Sequence, residues 1–169
     1  MKKIFIVFSL LICLCSGLSA QSVTIYALPK NPVGVHMDLV MDFSQAVIYG
    51  MSEEEFAAYE EDWYKDKPSI MDKFRTGANV ILGDAYKIGH YKDISYTVKV
   101  TVHTITDEGY IICDVDIIDQ QGQSVFHIDH LTGGKEPSFF IGTKLARIKI
   151  WAALTGKNFG SILKDASVR

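Results

Sequence analysis

From Val35 to Phe43 the chain alternates, with Met37, Leu39, Met41 and Phe43 on one side and His36, Asp38, Val40 and Asp42 on the other. A period of two is what a strand with one buried face requires. The same signal is clearest between residues 95 and 131. Tyr96, Val98, Val100 and Val102 alternate with Thr97, Lys99, Thr101 and His103, and Ile111, Cys113, Val115 and Ile117 mark the inward side of a strand from Tyr110 to Ile118. Thr106 to Gly109 reads as a four-residue turn, and Gln121-Gly122 as a two-residue hairpin loop into a strand from Ser124 to Leu131. These three strands form an antiparallel meander. Ala46 to Tyr49 reads as a further short strand or a continuation past a bulge. Val23 to Leu28, closed by Pro29 and Pro32, makes residues 21–34 an edge strand or an ordered arm.

Elsewhere the period changes to that of helices. Ser52-Glu53-Glu54-Glu55 is a capping box, in which Ser52 caps free amides and Glu55 reaches back. Phe56, Tyr59 and Trp63 continue that helix until Pro68 stops it. Ser69 then caps a second helix that buries Ile70 or Met71, Phe74, Ala78, Ile81 and Ala85 and ends near Tyr86. Gly133-Gly134 and Pro137 precede a long helix from about Ser138 to Lys164. Its broad apolar stripe runs through Phe140, Ile141, Leu145, Ile148, Ala152, Phe159, Ile162 and Leu163. Gly156 and Gly160 along it predict close contact with the sheet, or a kink. A sheet with one alternating face needs a lid, and this helix is the longest available. The fold class is therefore α+β: two layers, a mixed sheet containing the meander at 95–131, helices over one face, and a long C-terminal helix.

The first twenty residues follow neither pattern. Lys2 and Lys3 precede an almost unbroken apolar run from Ile4 to Cys15, and small residues lead to Ala20. This is the arrangement of a secretory signal peptide, with a mature chain beginning near Gln21. A membrane anchor would need about 20 predominantly apolar residues, and this run is shorter. Cys13 and Cys15 follow Ile12 and Leu14, which does not suit lipid attachment. The organisation is then 1–20 signal, 21–34 arm or edge strand, and 35–169 one α+β domain. Losing Lys2 and Lys3 deepens a formal net charge that is already −3 over 169 residues, which argues against a nucleic-acid partner. No transmembrane span is expected in the mature chain, and peripheral membrane association stays open. Only Cys113 survives cleavage, so no intrachain disulfide is possible. Its place between inward-facing Ile111 and Val115 makes it a small hydrophobe rather than a nucleophile.

Pairing the strands brings polar residues together. The first turn sets Ile105 opposite Tyr110, hence Lys99 opposite Asp116 and Thr101 opposite Asp114. The second sets Gln120 opposite Gln123, hence Asp116 opposite His127 and Asp114 opposite Asp129. Facing Asp114 and Asp129 repel at roughly 5 Å unless Lys99, His103 or His127 offsets them, as on an ordinary solvated sheet face. The functional reading is a divalent cation held by Asp114, His127 and Asp129. His36 and Asp38 extend the patch if their strand lies beside the meander. His127-Ile128-Asp129-His130 fails as a metal motif on a regular strand, where His127 and His130 face opposite ways. No nucleophile elbow or phosphate loop is present, so no catalytic residue and no cofactor is assigned.

The order of elements from Val35 to Lys164 resembles the small α+β domains of bacterial envelope proteins, namely the TolB amino-terminal domain and the periplasmic domains related to the curli secretion factor. The strand Val35 to Phe43, the run Tyr91-Lys92-Asp93-Ile94-Ser95-Tyr96-Thr97-Val98-Lys99-Val100, and Asp119-Gln120-Gln121-Gly122 carry the likeness. Asp42-Phe43-Ser44 and Thr155-Gly156-Lys157-Asn158-Phe159-Gly160 are similar to segments of short, uncharacterised exported proteins of gut Bacteroidota. The resemblance implies protein–protein contact within envelope assemblies, and transfers no active site. The expectation is an exported, non-catalytic binding or accessory module in the periplasm, at the outer membrane or secreted, whose partner is another envelope protein. The alternatives are a metal-dependent hydrolase using the Asp114, Asp116, His127 and Asp129 face, and a small secreted inhibitor or immunity-type protein.

Overall fold

The computed structural model describes residues 21–134 and 142–168. The signal segment, Pro137, Phe140 and Ile141 lie outside the described residues. The strands are β1 (Ser22–Ile25), β2 (Val35–Asp42), β3 (Val47–Ile48), β4 (Tyr86–Ile88), β5 (Tyr96–Ile105), β6 (Ile111–Asp119) and β7 (Ser124–Leu131). They form one seven-stranded sheet in the order β1-β7-β6-β5-β2-β4, with β3 pairing β5 beyond the end of β2. The meander β5-β6-β7 is antiparallel, as its alternation requires, and β1 adds to it antiparallel. The β2 strand runs parallel to both β5 and β4, so the sheet is mixed. Between β2 and β3 the Asp42 carboxylate accepts the Ser44 amide at 2.9 Å, which turns the chain and gives Asp42-Phe43-Ser44 a structural role.

The helices are α1 (Glu53–Tyr59), α2 (Trp63–Leu82) and α3 (Lys144–Val168). The capping box forms as expected: Ser52 Oγ accepts the Glu55 amide at 3.2 Å, and Glu55 Oε2 accepts the Ser52 amide at 2.8 Å. Trp63, however, opens α2 instead of ending the first helix, and Pro68 lies inside α2 rather than stopping a helix before Ser69. A proline there removes one backbone hydrogen bond, the one to the Tyr64 carbonyl. Packing on both sides of it fixes the helix anyway. Trp63 is fully buried, edge-on to Phe43 and Phe56 at 5.4 and 5.2 Å, and its Nε1 donates to Glu53 at 3.0 Å; beyond the proline, Ile70, Phe74 and Ala78 are also fully buried. Gly83, at φ +60, ends α2 at Leu82. The stretch read as the helix end becomes β4, whose Ile88 is held by two hydrogen bonds of 2.9 Å with the Asn79 side chain.

Helices α2 and α3 together cover one face of the sheet, and the core lies between. Leu145, Ile148, Ala152 and Phe159 are buried with Val98, Val100, Val115 and Ile117, as the lid requires. The glycines of α3 do something other than the sequence suggests. A Cβ on Gly156 would sit 2.0 Å from the Phe74 carbonyl oxygen, and one on Gly77 would sit 2.1 Å from that of Ala153. They bring α3 against α2, not against the sheet.

Both hairpins also differ from expectation near their turns. Thr106 pairs with Tyr110 and Asp119 with Gln123, so each loop has three residues closed by a glycine at φ about +80. The one-residue offset is cancelled by a bulge at His103 in the first hairpin and at Val125 in the second. Beyond the bulges Lys99–Asp116, Thr101–Asp114 and Asp116–His127 stand opposite one another as expected.

Cys113 is fully buried on the core side of β6. Burial pushes its thiol far above the ordinary range, and the Asp114 charge adds to the effect. A thiol reagent should therefore label it slowly in the folded protein and rapidly in denaturant. Fast native labelling would mean that β6 presents its other face to the helices.

Candidate functional site

Opposite the helices, the sheet carries a polar face that no other element covers among the described residues. One row crosses it through Val40, Lys99, Asp116, His127 and Thr24, and the next through Asp42, Thr101, Asp114 and Asp129 to Ser22. Strand β2 lies beside β5, so His36 and Asp38 do extend the patch. Each of the five histidines in the chain approaches an aspartate: His36 and Asp93 at 3.0 Å, His90 and Asp38 at 3.6 Å, His103 and Asp114 at 2.7 Å, His127 and Asp116 at 3.0 Å, His130 and Asp129 at 2.9 Å. His36 also stacks on Tyr91 with centroids 3.9 Å apart. Exposed pairs of this kind are each worth at most about 1 kcal/mol.

The second row departs from a regular ladder. Val115 pairs with Ile128 but Cys113 pairs with Leu131, so two residues, Asp129 and His130, oppose Asp114. This β-bulge carries His130 at φ +54, in the left-handed region. The extra residue turns His130 onto the open face, which overturns the reading of His127 and His130 as facing opposite ways. It also changes who belongs to the candidate site. His127 is drawn to Asp116, while Asp114, Asp129 and His130 form one group, with ligand-capable atoms all within 4.8 Å of one another. Thus Asp114 and Asp129 come together as expected, and Asp116 and His127 stand apart as a pair.

Asp114 is the centre of the group. Its Oδ1 accepts the His130 backbone amide at 2.9 Å, and its Oδ2 meets His103 Nε2 at 2.7 Å. Partial burial alone would raise its pKa. The His130 amide, the His103 ring and the two histidine charges outweigh that and hold the carboxyl below its ordinary value. The repulsion expected between Asp114 and Asp129 is therefore offset by donors on both neighbouring strands, each delivered by a bulge residue. The signal for these bulges was present in the sequence. After Val98, Val100 and Val102 the next inward residue is Ile105, and after Phe126 and Ile128 it is Leu131; both apolar series slip by one.

Asp114, Asp116, His127 and Asp129 have side chains 24 to 41% exposed on this open face. No family model matches the chain, and no curated protein matches it. Among solved structures, the PelC dodecamer from Paraburkholderia phytofirmans aligns with 83% of this chain and 96% of that chain, at 9% identity and a TM-score of 0.40. A single-substitution variant of that dodecamer, from the same organism, aligns with 82% and 97%, at 12% identity and 0.42. Alignments this loose assign no role to this chain.

Proposed function

We propose that this is an exported, non-catalytic protein that works as a binding or accessory module in the periplasm or at the outer membrane. The observation that carries the reading is the edge strand β1. Among the described residues it is hydrogen-bonded on one side only, to β7, and all four of its residues are exposed. Ser22-Val23-Thr24-Ile25-Tyr26 contains no charge and no proline, the devices that usually blunt a free edge. Val23, Ile25 and Tyr26 are 42, 44 and 62% exposed. Next to them lies a depression of about 180 Å³ lined by Val23, Ile25, Ile162, Asp165 and Ala166. An unblunted edge beside an apolar hollow suits an extended segment of another protein, with backbone hydrogen bonds supplying affinity and the hollow taking alternate side chains.

Further support comes from the placement of the acidic residues on an open face rather than in a deep cleft, and from the likeness of Val35 to Lys164 to envelope-protein domains. Among the described residues no helix is long and apolar enough to cross a membrane. Export rests on Lys2, Lys3 and the apolar run ending at Ala20.

Two measurements test the reading. Intact mass of the protein recovered from an envelope fraction should match a chain starting near Gln21; a full-length or acylated chain would overturn the export signal. A photo-crosslinking side chain at Thr24 should capture one envelope protein. Ile25→Lys should reduce that capture at least about tenfold, equivalent to roughly 1.4 kcal/mol, while leaving the melting temperature unchanged. Equal capture by Ile25→Lys, or none by wild type, would reject β1 as the contact edge.

A further inference from the structure

We propose that Asp114, Asp129 and His130, with His103 at the rim, form a binding site for one divalent transition-metal ion, zinc being the best match. The feature that singles them out is the His130 ring. Its Nδ1 lies 2.9 Å from Asp129 Oδ1, yet that nitrogen makes no hydrogen bond and is closed off from solvent. A close but misdirected contact between two donor atoms is poor hydrogen bonding. It is normal spacing for neighbouring ligands, because metal bonds of 2.0–2.1 Å at tetrahedral or octahedral angles put ligand atoms about 2.9–3.4 Å apart. Asp114 completes the group, with ligand-capable atoms of the three residues all within 4.8 Å. That spread exceeds bonded ligand spacing, so binding draws the three side chains together, and Asp129, 41% exposed, is the least confined of them.

The surroundings hold these ligands in place. The His130 amide fixes one oxygen of Asp114, and His103 meets the other, with its ring centroid 6.2 Å from that of His130. Carboxylate–histidine contacts of this kind orient metal ligands, and losing one costs about 10–100-fold in affinity. One imidazole and two carboxylates suit zinc or cobalt. Calcium takes six to eight oxygen ligands and magnesium retains most of its water, so neither matches the set. The half-exposed ligands leave coordination positions for water or for a group from outside the chain.

The mature chain should be titrated with ZnCl₂ by calorimetry, and with CoCl₂ to read the visible spectrum of the bound ion. One zinc per chain is expected, with a rise in melting temperature that a chelator reverses. His130→Asn, chosen because asparagine tolerates the left-handed backbone, should weaken zinc binding at least about tenfold, and so should Asp129→Asn. His127→Asn should leave it unchanged. Asp129→Asn carries the test if His130→Asn does not fold. Absence of saturable zinc binding, equal weakening by His127→Asn, or calcium and magnesium binding as tightly as zinc would each overturn the site.

Discussion

Gly156→Ala should destabilise the folded chain by about 2–4 kcal/mol, although alanine is the better helix former. Propensity alone favours the substitution by about 1 kcal/mol. Against it stands a methyl group placed 2.0 Å from the Phe74 carbonyl oxygen and 2.8 Å from its carbon. Overpacking usually costs about 1–3 kcal/mol when side chains can move aside. Here the obstacle is backbone, so α2 and α3 must separate along the contact that includes Phe74 and Phe159, whose rings stack at 5.7 Å. Gly77→Ala should cost a similar amount, because its methyl would meet the Ala153 carbonyl oxygen at 2.1 Å. At Gly160 the nearest atoms are 2.9 and 3.0 Å away, so that variant should be much milder. Since Gly77 and Gly156 hold the same two helices together, the double variant should lose less than the sum of the singles. Urea denaturation of the three variants measures the order, and a Gly156→Ala midpoint equal to wild type would rule out the close crossing.

Sequence alone placed these glycines on α3 but gave them the wrong neighbour. Small residues announce a close approach without naming the surface approached, here the α2 helix at Gly77 and Phe74, and α2 itself was misread at Pro68. Proline is a strong local stop signal, yet the burial of Trp63 and Phe74 on either side of it makes α2 continuous. Local propensity lost there to tertiary packing, which no window of sequence contains. Residues 86–88 were missed for a related reason: three residues are too few to show a period, and β4 exists because β2 offers it an edge and Asn79 its side-chain hydrogen bonds.

The meander was legible because Val98, Val100, Val115, Ile117, Phe126 and Ile128 must all face the helices, which excludes a one-residue slip, and the turns exclude larger ones. Each turn was nonetheless misread by one residue, and each error was cancelled by a bulge. The register at Asp114 and Asp116 survived, while the residues beside them changed. A bulge shifts every later side chain to the other face, and for that reason the candidate site gained His130, whereas His127 kept its expected face and left the group by pairing with Asp116. The slip of the apolar series before Ile105 and Leu131 is the trace such a bulge leaves in sequence.

Ile148→Ala should cost about 2–5 kcal/mol, the range for removing a large aliphatic side chain from a packed core. Ile148 is fully buried, one helical turn from Leu145 and Ala152, and belongs to the same buried cluster as Ile111, Val115 and Trp151. Its backbone amide also lies where Gly109 makes room for the helix: a Cβ on Gly109 would come within 3.0 Å of it. That contact limits how far α3 could settle into the hole, so the cavity should stay open and the cost should fall in the upper half of the range. Ile150, two residues on and 37% exposed, provides the control, since Ile150→Ala should change stability by less than about 0.5 kcal/mol. The pair reads the rotation of α3 about its own axis, because residues two apart lie on opposite sides of a helix. Thermal and urea melts showing Ile150→Ala as the costlier change would turn the other side of α3 toward the sheet and remove it as the lid described here.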